Sequence, residues 1–509
     1  MWVILGVSAA AQAQEPLASV FDPNPVVSNG TLSQVTLADL QGDKSRLTGK
    51  SSRVLSCQTN SQPCAAVQHA AADEAGNFFY VPEEGSNMDA FAEVNAYFHI
   101  WRAANYFQAN HGITWTCACG AENLRVILDS ASDPSEDPTL AVYVPNRCET
   151  FECGSIVLGV GRNAEGELRN FAYDGDVLYH EYAHAVIDER NGNAGVRIDE
   201  QGVSYEPSSV REGGADYFAA AIGGDPHIAE HLAGIGFLPE SEALRSIDKP
   251  LRCPTDLTGN GHKDGRIFGG ALWEARAILT PSIADDIVVH VLLEAGNQPT
   301  MSETIERLLT ELQSQRANDN ITAEQFDAVE EIFDAHGLIG CARIAPLSQS
   351  EHVGYSGVPL STLQGKGVAP LHFSLSIPDN ASEVEITLRT LTGVPGHLLY
   401  LRNGMPVEVH SDDEAPISDI TLEVIASKAN LRDTANYTLP RGGSLYVAVA
   451  STNLGEGSNW FAISAHIVSG GVAGGGGCAI TESREGVWWI FLIVGLALRG
   501  KTFLYSRFK

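Results

Sequence analysis

The chain has 509 residues, 44% of them hydrophobic, and a formal net charge of −31 from 63 acidic against 32 basic side chains. That length suits two to four domains with a sizeable core. A field so negative repels nucleic acid and anionic lipid, which removes both as expected partners, and it suits a soluble extracellular protein that attracts cations.

Residues 2–11 are largely apolar and run into Ala11-Gln12-Ala13, a small-x-small cleavage pattern. Residues 1–13 read as a secretory signal peptide cut after Ala13, although no basic residue opens it; a buried first strand is the alternative. Residues 14–84 mix short β-like runs, Val54-Leu55 and Phe78–Val81, with polar linkers. They read as a β-rich segment packed on the next domain or as the remnant of a pro-segment. Eight cysteines lie in the body of the chain (Cys57, Cys64, Cys117, Cys119, Cys148, Cys153, Cys253, Cys341) and Cys478 stands alone in the tail. An even set fits an oxidising compartment. Their grouping suggests Cys57–Cys64, two bridges among the middle four, and Cys253–Cys341, without fixing the connectivity. A second zinc site in the middle four competes, but Cys117-Ala-Cys119 is tight for ligand spacing.

A helix is predicted from Asp89, with Phe91, Val94, Phe98 and Trp101 at helical spacing as core and Gly112 as its stop. Leu124–Leu128, Ala141–Val144 and Ser155–Val160 read as strands. The acidic runs Asp133–Asp137 and Ser411–Glu414 could bind Ca²⁺, with solvated loops as the competing reading, since no Asp-x-Asp-x-Asp-Gly loop is complete.

The stretch Asp176–Asp188 carries His180-Glu181-Tyr-Ala-His184. On a helix, side chains three and four apart share a face, so the two imidazoles can hold one Zn²⁺ with Glu181 beside them as general base. Asp176 is the predicted N-cap of that helix. A second helical stretch, Arg211–Ala221, places Glu212 and Asp216 four apart. Glu212 could complete a His₂Glu site with a fourth position open, and Asp216 could accept the spare ring N–H of a ligating histidine. A solvated acidic helix face is the bland alternative, set against the apolar Tyr217 and Phe218.

The pairing of these two motifs resembles the gluzincin zinc peptidases, nearer the fungalysin-like branch than thermolysin because the gap from His184 to Glu212 is long. The resemblance covers roughly residues 85–345 and is strong only at the two metal motifs. Val94–His99 and Tyr106 resemble the helix that opens these domains, and the three strands would form the sheet whose edge pairs with an extended substrate. His262, ahead of Gly269-Gly-Ala-Leu-Trp273, resembles the family histidine that stabilises the tetrahedral oxyanion. By itself, the segment Asp256–Gly265 is also a good solvated turn.

Segments 283–295, 301–315 and 322–336 read as helical and give an all-α second lobe. Residues 346–468 change to period-two runs, Leu371–Ile377, Val384–Leu388 and Leu445–Ala450, which argue a β-sandwich. Gly442–Val449 with Asn459–Ser464 loosely resembles the pre-peptidase C-terminal domains of secreted bacterial proteases. The tail 469–509 holds a Gly-rich linker, Cys478, the apolar run Val487–Leu498 and terminal Arg and Lys. It resembles a bacterial C-terminal sorting signal processed by a sorting protease, with a plain membrane anchor as the alternative.

The expectation is therefore an α+β zincin-like two-lobed metallopeptidase domain at 85–345, followed by a β-sandwich at 346–468. It would be a secreted or bacterial surface-anchored zinc endopeptidase acting on protein or peptide substrates, and it would meet the membrane only through its C-terminal segment. It would carry one Zn²⁺ per chain on His180, His184 and Glu212, with Glu181 and His262 as catalytic residues and Asp216 behind the ligands; Ca²⁺ is a second candidate ion. A surface adhesion protein with a structural or relict zinc site is the rival from another class.

Overall fold

The computed structural model describes residues 15–42, 44–57, 66–86, 88–116, 123–128, 141–145, 154–163, 165–191, 195–236, 241–356, 367–392, 396–409, 416–424, 427–451 and 460–469. The expected signal peptide, the C-terminal tail, the acidic runs 133–137 and 411–414, and Cys64, Cys117, Cys119, Cys148, Cys153 and Cys478 lie outside the described residues. No helix among the described residues is long and apolar enough to cross a membrane.

The chain folds as a mixed α/β protein with several sheets and, among the described residues, seven α-helices: α1 (Ala90–His111), α2 (Gly175–Asn191), α3 (Glu206–Gly223), α4 (Gly261–Ile278), α5 (Pro281–Glu294), α6 (Met301–Ala317) and α7 (Ala323–Ala335). Helix α1 starts where Asp89 accepts from the Ala92 N–H (3.1 Å) and stops at Gly112, left-handed at φ 66°. Its stripe of Phe91, Val94 and Phe98 is buried. Helices α6 and α7 each open with a reciprocal capping box, Thr300 with Glu303 and Thr322 with Gln325.

The first sheet runs Ala66–Val67, Ser52–Cys57, Leu124–Leu128, Ser155–Leu158, Ala141–Val144. The middle three strands are parallel, and Ala141–Val144 closes the edge antiparallel to Ser155–Leu158. The predicted strand 155–160 breaks at Gly159, and Val160–Arg162 turns off to pair with Leu168–Asn170.

The segment before residue 85 is built into the fold. Its strand Ser52–Cys57 is interior to the sheet, and the Phe21 carbonyl accepts from the ring of His99, buried in α1 (2.9 Å). Gly175, the first residue of α2, donates to Pro23 O (3.0 Å), and a Cβ there would lie 2.7 Å from His99 Nδ1. The absence of a side chain is what lets α2 start against both α1 and this segment.

Beyond α7 lie a five-stranded sheet (Ile344–Pro346, His372–Ile377, Gly443–Ser451, His397–Asn403, Ile420–Glu423) and a four-stranded one (His352–Tyr355, Trp460–Ser469, Ala381–Thr390, Lys428–Leu431). Phe373 of the first meets Phe461 of the second edge-to-face at 6.3 Å. The Cys253–Cys341 bridge ties the chain ahead of α4 to the chain entering these sheets. Residues up to Ser469 form one compact unit with a shared apolar core.

Candidate metal centre

Helix α2 carries His180, Glu181 and His184 on its buried face, and α3 brings Glu212 and Asp216 against them. Glycine makes the approach of α3 to α4 possible. A Cβ on Gly213 would lie 2.3 Å from Gly265 O and 3.0 Å from Gly269 N, and one on Gly269 2.8 Å from Gly213 O. Backbone therefore packs on backbone next to Glu212, and His262, in the first turn of α4, comes to 3.2 Å from Glu212 Oε2.

Three lone-pair atoms converge. His180 Nε2 is 3.1 Å from His184 Nε2 and 3.2 Å from Glu212 Oε2, which is 3.6 Å from His184 Nε2. Glu212 Oε2 is buried and makes no hydrogen bond. Tetrahedral ligands at about 2.0–2.1 Å from one ion stand about 3.3 Å apart, so the spacing is that of one coordination shell. His180, His184 and Glu212 could hold a metal ion. The charges agree: burial alone would lower the His180 imidazole, but Asp216 and Glu212 push it up to about 9, so the cluster favours positive charge at its centre. Burial alone would raise Glu212, yet His262, His184 and His180 hold it well below the usual carboxylate range.

The support behind the three is asymmetric. Asp216 Oδ1 lies 2.8 Å from His180 Nδ1 and is gripped at both oxygens by Arg245, at 2.7 and 2.8 Å. Burial would raise the Asp216 carboxyl, but Arg245 and His180 hold it below the usual range. His184 Nδ1 has no hydrogen bond; Asp188 Oδ2 is 3.7 Å away, and that carboxylate accepts from Arg211 Nε at Oδ1 (2.7 Å) and from Arg211 Nη2 at Oδ2.

Glu181 does not join the trio. It is buried beside it, its carboxyl raised chiefly by that burial, and it accepts from the main-chain N–H of Tyr143 in the edge strand. It lines a cavity of about 170 Å³ with His180, Arg245, His262, Ala141 and the apolar Phe171, Val177, Ile228, Ile235 and Leu244. The His262 side chain is 58% exposed to this cleft.

The sequence reading missed Arg245, whose short strand Arg245–Ser246 lies far from both motifs and has no pattern of its own. It also misassigned the cap of α2. Asp174 accepts from the Asp176 N–H (3.0 Å), whereas Asp176 sits inside the first turn. Helix capping needs the residue before the first turn, and the turn starts two residues earlier than expected, at Gly175. Asp174, Asp176 and Glu230 form a second cluster whose oxygens could hold a cation, apart from the acidic runs read from the sequence.

No protein-family model matches the chain, and no curated protein matches it. Among solved structures it is similar to the precursor of protealysin, a metalloproteinase from Serratia proteamaculans. The identity is 14%, over 59% of this chain and 92% of that one, at TM-score 0.42. The pre-peptidase C-terminal domain of a collagenase from Bacillus anthracis is similar at 11% identity over 24% of this chain and 92% of that one, TM-score 0.16. PliG, a periplasmic lysozyme inhibitor of Aeromonas hydrophila, is similar at 12% identity over 24% and 96%, TM-score 0.15. The chemistry of the site stands on its own side chains.

Proposed function

We propose that this chain is a zinc-dependent endopeptidase, with a zincin-like two-lobed catalytic domain and a β-sandwich behind it, acting outside the cell or at a bacterial surface. The observation that carries the reading is the convergence of His180 Nε2, His184 Nε2 and Glu212 Oε2 in a cleft that also holds a buried, uncoordinated glutamate. Two imidazoles and one carboxylate are the borderline donor set zinc prefers, and they leave a position open. Zinc held there would supply Lewis acidity, lowering the pKa of water and polarising a carbonyl.

The residues then divide the work. Hydrolysis adds hydroxide to the acyl carbon and a proton to the leaving nitrogen. Glu181 takes that proton from the attacking water and delivers it to the amine. His262, open to the cleft, donates a hydrogen bond to the oxygen that gains charge. Arg245 and Asp216 fix the ring of His180. The edge strand Ala141–Val144 offers a main-chain ladder to an extended peptide, and Phe171, Val177, Ile228, Ile235 and Leu244 favour an apolar substrate side chain beside the scissile bond.

The test is casein digestion by the purified protein with and without a zinc chelator, beside Glu181→Gln. Activity abolished by both, with zinc still bound to the variant, supports the reading. One zinc per chain without hydrolysis would favour the adhesion protein, and no zinc would remove the central claim.

A further inference from the structure

We propose that the C-terminal two-sheet region is a working part of the active site: it clamps the loop Leu257–Asn260 that presents His262, and His352 is the positioning residue of that clamp. The consequence for catalysis rests on the peptidase reading above; the clamp itself rests on geometry alone.

The loop is fixed on three sides. On its own helix, Asp264 accepts from Thr258 N (2.7 Å), Thr258 Oγ1 (2.8 Å) and Gly259 N (2.8 Å), and Asn260 caps α4 by accepting from Lys263 N (3.1 Å). On the catalytic side, a Cβ on Gly261 would lie 2.2 Å from Ser208 Oγ of α3. On the far side, the strand His352–Tyr355 takes the carbonyls of Leu257 and Thr258. Tyr355 N donates to Thr258 O (2.8 Å), and His352 Nε2 lies 2.6 Å from Leu257 O. A carbonyl only accepts, so His352 carries its proton on Nε2 and acts as a fixed donor. Its ring is held edge-to-face on Phe373 at 5.2 Å. Gly259 is left-handed at φ +84°, a Cβ on it would lie 3.3 Å from Leu371 N and 3.4 Å from Pro370 Cβ, and the seam leaves a void of only about 10 Å³.

The same region grips the approach to the other helix of the site. Arg343 donates to Val203 O (3.3 Å) and Pro370 O and pairs with Asp199, while Val409 N donates to Glu200 O (2.8 Å). Both segments that feed Glu212 and His262 into the cleft are thus held from behind by the C-terminal sheets. A merely appended domain would need neither contact.

The experiment uses the full chain and a double-mutant cycle of His352→Ala with His262→Ala, with His352→Gln as the donor-retaining variant. Turnover is read as kcat and KM separately, and backbone hydrogen exchange is read over 257–266. We expect His352→Ala to lower kcat about 10- to 100-fold with KM and bound zinc little changed. In the His262→Ala background it should cost less than about 2-fold more, and His352→Gln should recover most of the loss. Exchange over 257–266 should rise about 5-fold or more in His352→Ala, while α2 stays protected. An equal loss in the His262→Ala background, or unchanged exchange in the loop, would overturn the proposal. Should the alanine variant not fold, His352→Phe, which keeps the stacking on Phe373 and removes the donor, takes its place in the same cycle. A wild-type protein that hydrolyses nothing would defeat the peptidase reading, and the exchange arm alone would then decide the clamp.

Discussion

Asp216 shows how one buried carboxylate serves two neighbours. It accepts from both arms of Arg245 while standing 2.8 Å from His180 Nδ1, so the ring has one tautomer and one orientation. We expect Asp216→Ala to weaken zinc about 10- to 100-fold, measured by competition with a chromogenic chelator. Equal affinity would show that His180 needs no support. In the proposed mechanism Glu181 serves the chemistry and not the binding of the metal. Glu181→Gln should retain zinc and lose about 10³-fold in kcat, because an amide has the shape of the carboxylate but cannot carry the proton.

Among the elements, the crossing of α3 and α4 decides the site. Gly213, Gly265 and Gly269 meet backbone to backbone there. Gly213→Ala would put a methyl group 2.3 Å from Gly265 O, and neither helix can yield without moving Glu212 or His262. We expect a loss of about 1–3 kcal/mol in denaturant unfolding together with weakened zinc. A variant as stable as the parent would mean the helices part easily. The exposed face of α6 is the contrasting case: nothing in the site depends on it, and a conservative change there should stay within about 0.5 kcal/mol.

At the level of the whole molecule, the segment before residue 85 is structural. The strand Ser52–Cys57 pairs on both sides, and Phe21 and Pro23 reach α1 and α2. Removing residues 15–57 should therefore leave an insoluble chain; soluble, zinc-binding protein would show that the fold does not need this segment. The C-terminal sheets contribute a pH dependence. His372 is buried beside Arg343 and Asp199, and desolvation first, then Arg343, lowers its imidazole to about 3. The unfolded chain then binds the proton more readily, so this residue's stability contribution is full above about pH 6.5 and falls on acidification towards about pH 3. The limiting slope is about 1.4 kcal/mol per pH unit. His372→Leu should remove that slope, read as the difference between the two unfolding curves from pH 7 to 4. Identical pH dependences would mean the ring finds a proton partner in the folded state.

Much of this was written locally in the chain. Helical spacing set His180, Glu181 and His184 on one face, and Glu212 with Asp216 on another, because a period of 3.6 residues needs no partner to be read. The limits of α1, the strands Leu124–Leu128 and Ala141–Val144 and the helices after residue 281 follow from caps and periodicity in the same way. Local pattern could not place Arg245, since a two-residue strand has no period. It also could not choose between a solvated turn and a cleft for His262, or find the partners of the strand Ser52–Cys57. Those were decided by what packs where: two glycine-faced helices that bring His262 to Glu212, a sheet that closes around Ser52–Cys57, and a second pair of sheets that takes the carbonyls of Leu257 and Thr258. Propensity acts over a few residues, whereas a metal centre is made where segments far apart in sequence converge.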